Sequence, residues 1–401
     1  MRRPAVACLG GTLGLLAGLA GACDEHFPTP PQPDAAPVPV SASPAGIVSP
    51  AQRKNASSSR IAFDPVRGGV WTANGDIGTV SYLDVDHRNS LNEIAVGSDI
   101  TSVALSPDAA WVAAVDRNGA SVTLLDAEAS SQPGGSRSPR STIHVGGHPR
   151  ACVWDAANPR WLYVTVEDDD TVAVVDRFLN QVAAVVPVGR LPSGLAVSSS
   201  RRELYVAHRI DATLTIVDLR QRDVVADVSL ADEPFSDPKT PNGKPFAFEA
   251  PALTASGNTA WLPHELLAPT HPFVFDETLF PAVSVVDLMR RAEVQSNPNL
   301  PNIAGRKNLF DAINLIGADG QPEVFSQPCA VAIHPSGFVA WALACASEDV
   351  LVFDVGAGIA TDALRNLPVD HPVAMALDDT GQRLFVPVSY THLTLPTILR
   401  V

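Results

Sequence analysis

Between residues 57 and 387, apolar and polar positions fall in short runs rather than at helical spacing. Residues 162–166 (LYVTV), 171–176 (TVAVVD), 204–208 (LYVAH) and 213–218 (TLTIVD) are apolar or alternating segments bounded by turn-forming residues. Segments of that length and boundary predict β-strands. The two clearest units run from His148 to Asp176 and from Leu191 to Asp218. Each reads as a proline, an apolar strand, a polar turn, a second strand with an aromatic near its start, an acidic loop, and a third strand ending in Asp. The terminal aspartates are Asp84, Asp126, Asp176, Asp218, Asp287 and Asp354, at intervals of 42, 50, 42, 69 and 67. A base period near 42 with about four short strands per unit predicts a β-propeller.

The slots inside the repeat agree closely. Asn74, Asp116, Val166, His208 and Ala344 each stand ten residues before a terminal Asp, and residues 252–264 align without a gap to 196–208, which puts His264 opposite His208. Trp71, Tyr163, Tyr205, Trp261, Trp341 and Phe385 share one slot of the second strand, where core packing between blades is the expected role. A seventh unit opens at His371-Pro372-Val373 and breaks off inside residues 383–386. The expected fold is therefore all-β, a propeller of four-stranded antiparallel blades, seven-bladed with the last blade truncated. Such a ring would fail to close, leaving sheet edges exposed and the chain prone to aggregation.

The motifs Leu162-Tyr163-Val164-Thr165-Val166 and Leu204-Tyr205-Val206-Ala207-His208, each followed by a strand ending in Val-Asp, resemble the YVTN family of β-propeller repeats over residues 57–387. That resemblance implies the fold and leaves function open, because propellers host both enzymes and pure binders.

The ends are of a different character. Arg2 and Arg3 precede an apolar stretch, residues 5–22, that runs into Leu19-Ala20-Gly21-Ala22-Cys23. This resembles a lipoprotein signal peptide (residues 1–22), with Cys23 as the lipidated N-terminus of the mature protein. Residues 23–56 carry eight prolines between Pro28 and Pro50 and read as an extended tether. Residues 388–397 resemble one reading frame of a common transposase sequencing adapter. Residues 388–401 are accordingly set apart from the propeller at 57–387 as an adapter artefact.

Composition narrows the function classes. The chain has 401 residues, 46% hydrophobic and 18% charged, with a net charge of −15. A core is assured, and so acidic a balance argues against nucleic acid. Of five cysteines, Cys8 leaves with the signal and Cys23 carries lipid. Cys329 and Cys345 lie at the same end of one expected hairpin, a candidate disulfide, and Cys152 reads as a buried small hydrophobe.

Loops before first strands and after second strands share a face of the propeller. That face collects the acidic run 167–170 and the histidines His148, His208, His264 and His371, with Glu265 and His271 in an insertion beside His264. These six residues are the candidate ligand or partner face; imidazoles beside a carboxylate could hold a metal or move a proton, although no metal-binding spacing appears. The acidic run could also bind calcium, a solvated rim being the plainer reading. The fifth unit carries insertions at 265–281 and about 292–326, where long ordered loops on a rigid scaffold often carry function. A short amphipathic helix is expected at 308–315.

Three roles follow. The first is a lipid-anchored binding module of the bacterial cell envelope, periplasmic or at the cell surface, taking a protein partner or small ligand on its acidic loop face without a cofactor. The second is the propeller portion of an electron-transfer protein, with haem c in a missing C-terminal region. The third is a lactonase-like hydrolase, which would recruit groups such as Arg209 and Asn74 at the channel.

Overall fold

The computed structural model describes residues 55–400, apart from 88, 137, 236–240, 270–277, 295–304, 310–323 and 389–396. The expected helix at 308–315 and His271 lie largely or wholly outside the described residues, as do the signal peptide and Cys23.

A short strand, β1 (Asn55–Ser57), precedes the repeats, inside the segment expected to be tether. Blade one is β2 (Ile61–Asp64), β3 (Gly69–Asn74), β4 (Thr79–Asp84) and β5 (Asn89–Ala95). Blade two is β6 (Ile100–Leu105), β7 (Trp111–Asp116), β8 (Ser121–Asp126) and β9 (Ser141–His144), with α1 (Ala127–Ser131) between its last two strands. Blade three is β10 (Pro149–Trp154), β11 (Trp161–Val166), β12 (Thr171–Asp176) and β13 (Gln181–Pro187). Blade four is β14 (Pro192–Ser198), β15 (Glu203–His208), β16 (Thr213–Asp218) and β17 (Asp223–Ser229).

Blade five is the elaborated one, as the insertions predicted. Its strands are β18 (Lys244–Phe246), β19 (Ala252–Leu253), β20 (Thr259–Leu267), β21 (Leu279–Asp287), β22 (Ala292–Glu293) and β23 (Lys307–Asn308). Blade six is β24 (Pro328–Ile333), β25 (Val339–Ala344), β26 (Asp349–Asp354) and β27 (Ile359–Leu364). The last sheet has only β28 (Ala376–Leu377), β29 (Arg383–Val386) and β30 (Thr397–Arg400). Six blades of at least four strands are thus found, not seven, and the remaining sheet has three strands.

Burial explains why these runs become strands. Second and third strands are sandwiched between neighbouring blades, so β11, β15 and β26 are apolar on both faces and read as near-continuous hydrophobic runs. The outer strands β13 and β17 face solvent on one side and alternate strictly. All six terminal aspartates end a third strand. Their carboxylates accept backbone N–H groups of the next turn: Asp176 from Phe178 and Leu179, Asp218 from Arg220 and Gln221, Asp287 from Met289 and Arg290. An Asx turn there needs a short carboxylate, which is why the period shows itself as Asp.

The aromatic slot is core, as expected. Trp71, Tyr163, Tyr205, Trp261, Trp341 and Phe385 are all buried, each in a cluster that bridges two blades. The expected failure of ring closure does not occur. Trp341 and Leu343 of blade six pack on Met375, Leu384 and Val386, while Phe63 of blade one stacks on Phe385 at 5.6 Å.

The N-terminal segment runs along the wall of the central channel. β1 pairs with the innermost strand β14, with Asn55 opposite Ser198 and Ser57 opposite Ala196. Ser58 N donates to Leu195 O at 2.8 Å, and Ser59 O then accepts from Val103 N of blade two at 2.8 Å. The chain climbs the channel along blade four, turns at residues 58–60, and descends as β2.

Candidate functional site

The histidine pair sits in the blades rather than at a ligand face. His208 ends β15 and His264 lies within β20, and both side chains are fully buried. His208 Nε2 lies 2.9 Å from Thr215 Oγ1, and that hydroxyl donates to Asp227 Oδ1 at 2.5 Å. One blade on, His264 Nε2 lies 2.9 Å from Ser284 Oγ, which donates to Glu293 Oε1 at 2.8 Å. Both are cross-strand triads that satisfy a buried polar slot. Blade one repeats the device with Asn74 Nδ2 donating to Thr79 and Ser81. Burial depresses both imidazoles, His264 to about 3, so they are held neutral inside the blades.

The loop-face acids are engaged as well. His148 Nδ1 is 2.6 Å from Asp168 Oδ2, an exposed pair, while His371 donates its backbone N–H to Glu348 at 3.1 Å. Asp169 accepts from Gly147 N, Asp170 from Leu191 N, and Asp211 from Arg190 N, between 2.8 and 3.1 Å. These carboxylates brace the loops that lead into first strands, and His148, Leu191 and His371 there adopt positive φ of 47°, 49° and 54°. Asp168, Asp169 and Asp170 therefore act as loop staples. Among the described residues no group of three His, Cys, Asp or Glu side chains is arranged to hold a metal. Glu265 is largely buried away from these residues; desolvation raises its carboxyl to about 7 against the one backbone N–H it accepts, from Gln327.

What the sequence reading missed is a cluster of arginines at the mouth of the channel. Arg117 follows β7, Glu167 follows β11 and Arg209 follows β15, one position after the slot of His208. Arg150 and Glu249 occupy corresponding positions at the inner strands of blades three and five. Arg117 donates to Glu167 Oε2 from Nε at 3.1 Å and Nη2 at 3.0 Å. Arg150 Nη1 lies 3.4 Å and Arg209 Nη1 3.9 Å from Glu167 Oε1, and Arg150 Nη2 donates to Glu249 Oε1 at 3.1 Å. The strand β10 bulges between Pro149 and Cys152, so the break in register falls at Arg150. Arg60 rises from the tip of the hairpin that floors the mouth. Burial first, and then Arg150, depress its guanidinium, against Glu249, Asp99 and Asp76.

Beneath this cluster lies a cavity of about 280 Å³, lined at the mouth by Arg60, Thr101, Arg150, Ser193 and Glu249 and deeper by Phe63 and Trp154. Cys329, also in its wall, is disulfide-bonded to Cys345 across β24 and β25, with Cα atoms 5.9 Å apart. Cys152 is a buried free thiol, pushed up to about 12 by desolvation and hence inert. The alternation Arg117, Glu167, Arg209 at a fixed slot was present in the sequence. Arg60 left no such trace, because its unit departs from the motif.

No protein-family model matches the chain, and no curated protein matches it. Among solved structures it is similar to Kuenenia stuttgartiensis hydrazine synthase, with a TM-score of 0.66 at 13% identity over 83% of this chain and 92% of that one. It is also similar to the β-propeller domain of Myceliophteria thermophila Cps50 (Swd1), with a TM-score of 0.57 at 14% identity over 86% and 96%. The dihydro-heme d1 dehydrogenase NirN in complex with DHE gives a TM-score of 0.49 at 17% identity over 82% and 60%. Likeness at these identities shows the β-propeller fold alone.

Proposed function

We propose that this chain is a non-catalytic binding propeller of the bacterial envelope, held to a membrane by lipid on Cys23 and taking its ligand at the arginine-lined channel mouth. The observation that carries the reading is that Arg60, Arg150 and Glu249 line a cavity of small-molecule size at the channel mouth, where Glu167 ties Arg150 to Arg117 and Arg209. The acidic loop face first considered is taken up in bracing its own loops, which moves the candidate site inward. The electron-transfer alternative gains no observation from His208 and His264, which are enclosed; of the groups the hydrolase alternative would recruit, Arg209 reaches the mouth while Asn74 is engaged by Thr79 and Ser81. On this reading the chain is a YVTN-type propeller, and residues 388–401 are adapter-encoded.

A thermal-shift screen of small organic acids, bases and neutral compounds against wild type and Arg150→Gln tests the site. Compounds that stabilise wild type and not the variant are expected. A screen whose hits act equally on both chains places the ligand elsewhere.

A further inference from the structure

The mouth holds one guanidinium more than its carboxylates bind; this inference rests on reading the mouth as the ligand site and names the ligand's chemistry. Glu167 is shared by Arg117, Arg150 and Arg209, and Glu249 pairs with Arg150. Among the described residues the Arg60 guanidinium makes no ion pair and no hydrogen bond. Glu249, then Asp99 and Asp76, act on it without an ion pair, and Arg150 repels it. Its backbone cannot drift away, because Ala73 N donates to Arg60 O at 2.8 Å while Ser59 O is held by Val103 N. The Arg60 guanidinium carries five donors in a rigid fork that can grip an oxyanion with paired N–H groups. Arg150 beside it, although engaged by Glu167 and Glu249, adds positive charge and its remaining N–H groups. The cavity, about 280 Å³, limits the rest of the molecule to a small one.

We propose that the channel mouth binds a small oxyanion, a carboxylate or a phosphate group, between the guanidiniums of Arg60 and Arg150. The test titrates the full chain and Arg60→Gln with succinate and, separately, inorganic phosphate, in chloride-balanced buffer of constant ionic strength, following the melting temperature. At least one anion is expected to stabilise wild type saturably, and Arg60→Gln to need about tenfold more of it or worse. Succinate alone acting marks a carboxylate ligand, phosphate alone a phosphate ester. In plain chloride Arg60→Gln is expected to melt no lower than wild type, since it removes a crowded charge, whereas Arg150→Gln loses two ion pairs and melts lower. Should Arg60→Gln fail to fold, Arg60→Lys keeps the charge without the fork and is expected to bind more weakly than wild type. No saturable anion effect in wild type, or the same effect in the Arg60 variants, overturns the inference. A non-anionic ligand that requires Arg150 overturns it while leaving the binding role standing.

Discussion

At the scale of single residues, two neighbours in β20 pull stability in opposite directions with pH. His264 is depressed to about 3 by burial. Unfolded imidazole titrates near 6.5, so its contribution is full above that pH and is lost as pH falls toward 3. Glu265 is raised to about 7 by burial. Its contribution is full below the unfolded value of 4.5 and is lost as pH rises through 7. Together they place maximal stability in the mildly acidic range. Glu265→Gln is expected to gain on the order of 3 kcal/mol relative to wild type at pH 8 and almost nothing at pH 4. Thermal melts of both chains at the two pH values decide it, and an equal difference at both would show that Glu265 titrates normally. Sequence reading found His208 and His264 by their shared slot and misassigned their work: the slot marks a buried cross-strand position, and only the partner hydroxyls on the third strand, Thr215 and Ser284, reveal that.

At the scale of elements, strands two and three were legible because a blade's middle strands are buried on both faces and closed by an aspartate turn. First strands were less so, because four of them, β6, β10, β14 and β24, bulge just after their start, as between Pro149 and Cys152 in β10 and between Pro192 and Leu195 in β14. A bulge breaks the two-residue alternation on which sequence reading depends. The hairpin strand β1 was not legible at all. Asn55, Ala56 and Ser57 have no hydrophobic pattern; what holds them is backbone pairing and side-chain bonds from Asn55 to Thr254 O and from Ser57 to Pro251 O, both 2.8 Å. Deleting the chain through Ser58 removes this brace and leaves Leu195 N without Ser58 Oγ, its acceptor at 2.9 Å. At about 1 kcal/mol per lost hydrogen bond, the deletion is expected to cost a few kcal/mol. Amide exchange at Leu195 should rise sharply. Unchanged protection there would mean that β1 merely rests on the channel wall.

At the scale of the molecule, the described sheets meet at one boundary that the chain does not run across, between the first and the last. Among the described residues the first and last sheets share no strand, and the N-terminal segment that could have latched them goes instead to the hub, touching blades two, four and five. The seam therefore depends on side chains: Phe63 stacked on Phe385, Ala374 packed beside them, and Arg383 reaching Asp86 at 3.0 Å while its Nε holds Asp378 at 3.1 Å. The exposed salt bridge contributes little, so the aromatic pair is the closure. Phe385→Ala removes a fully buried ring and is expected to cost about 3–5 kcal/mol. Its signature should be spatially peculiar, because opening the seam frees two sheets that lie more than 270 residues apart in sequence. Hydrogen exchange should accelerate in blade one and in the last sheet together, while blades three and four, braced through the hub, keep their protection. Truncating Tyr205 inside the ring offers the contrast, since there the loosening should stay between blades four and five. Equal loosening all around the ring in the Phe385→Ala chain would mean that the propeller melts as one unit and that the seam has no separate existence.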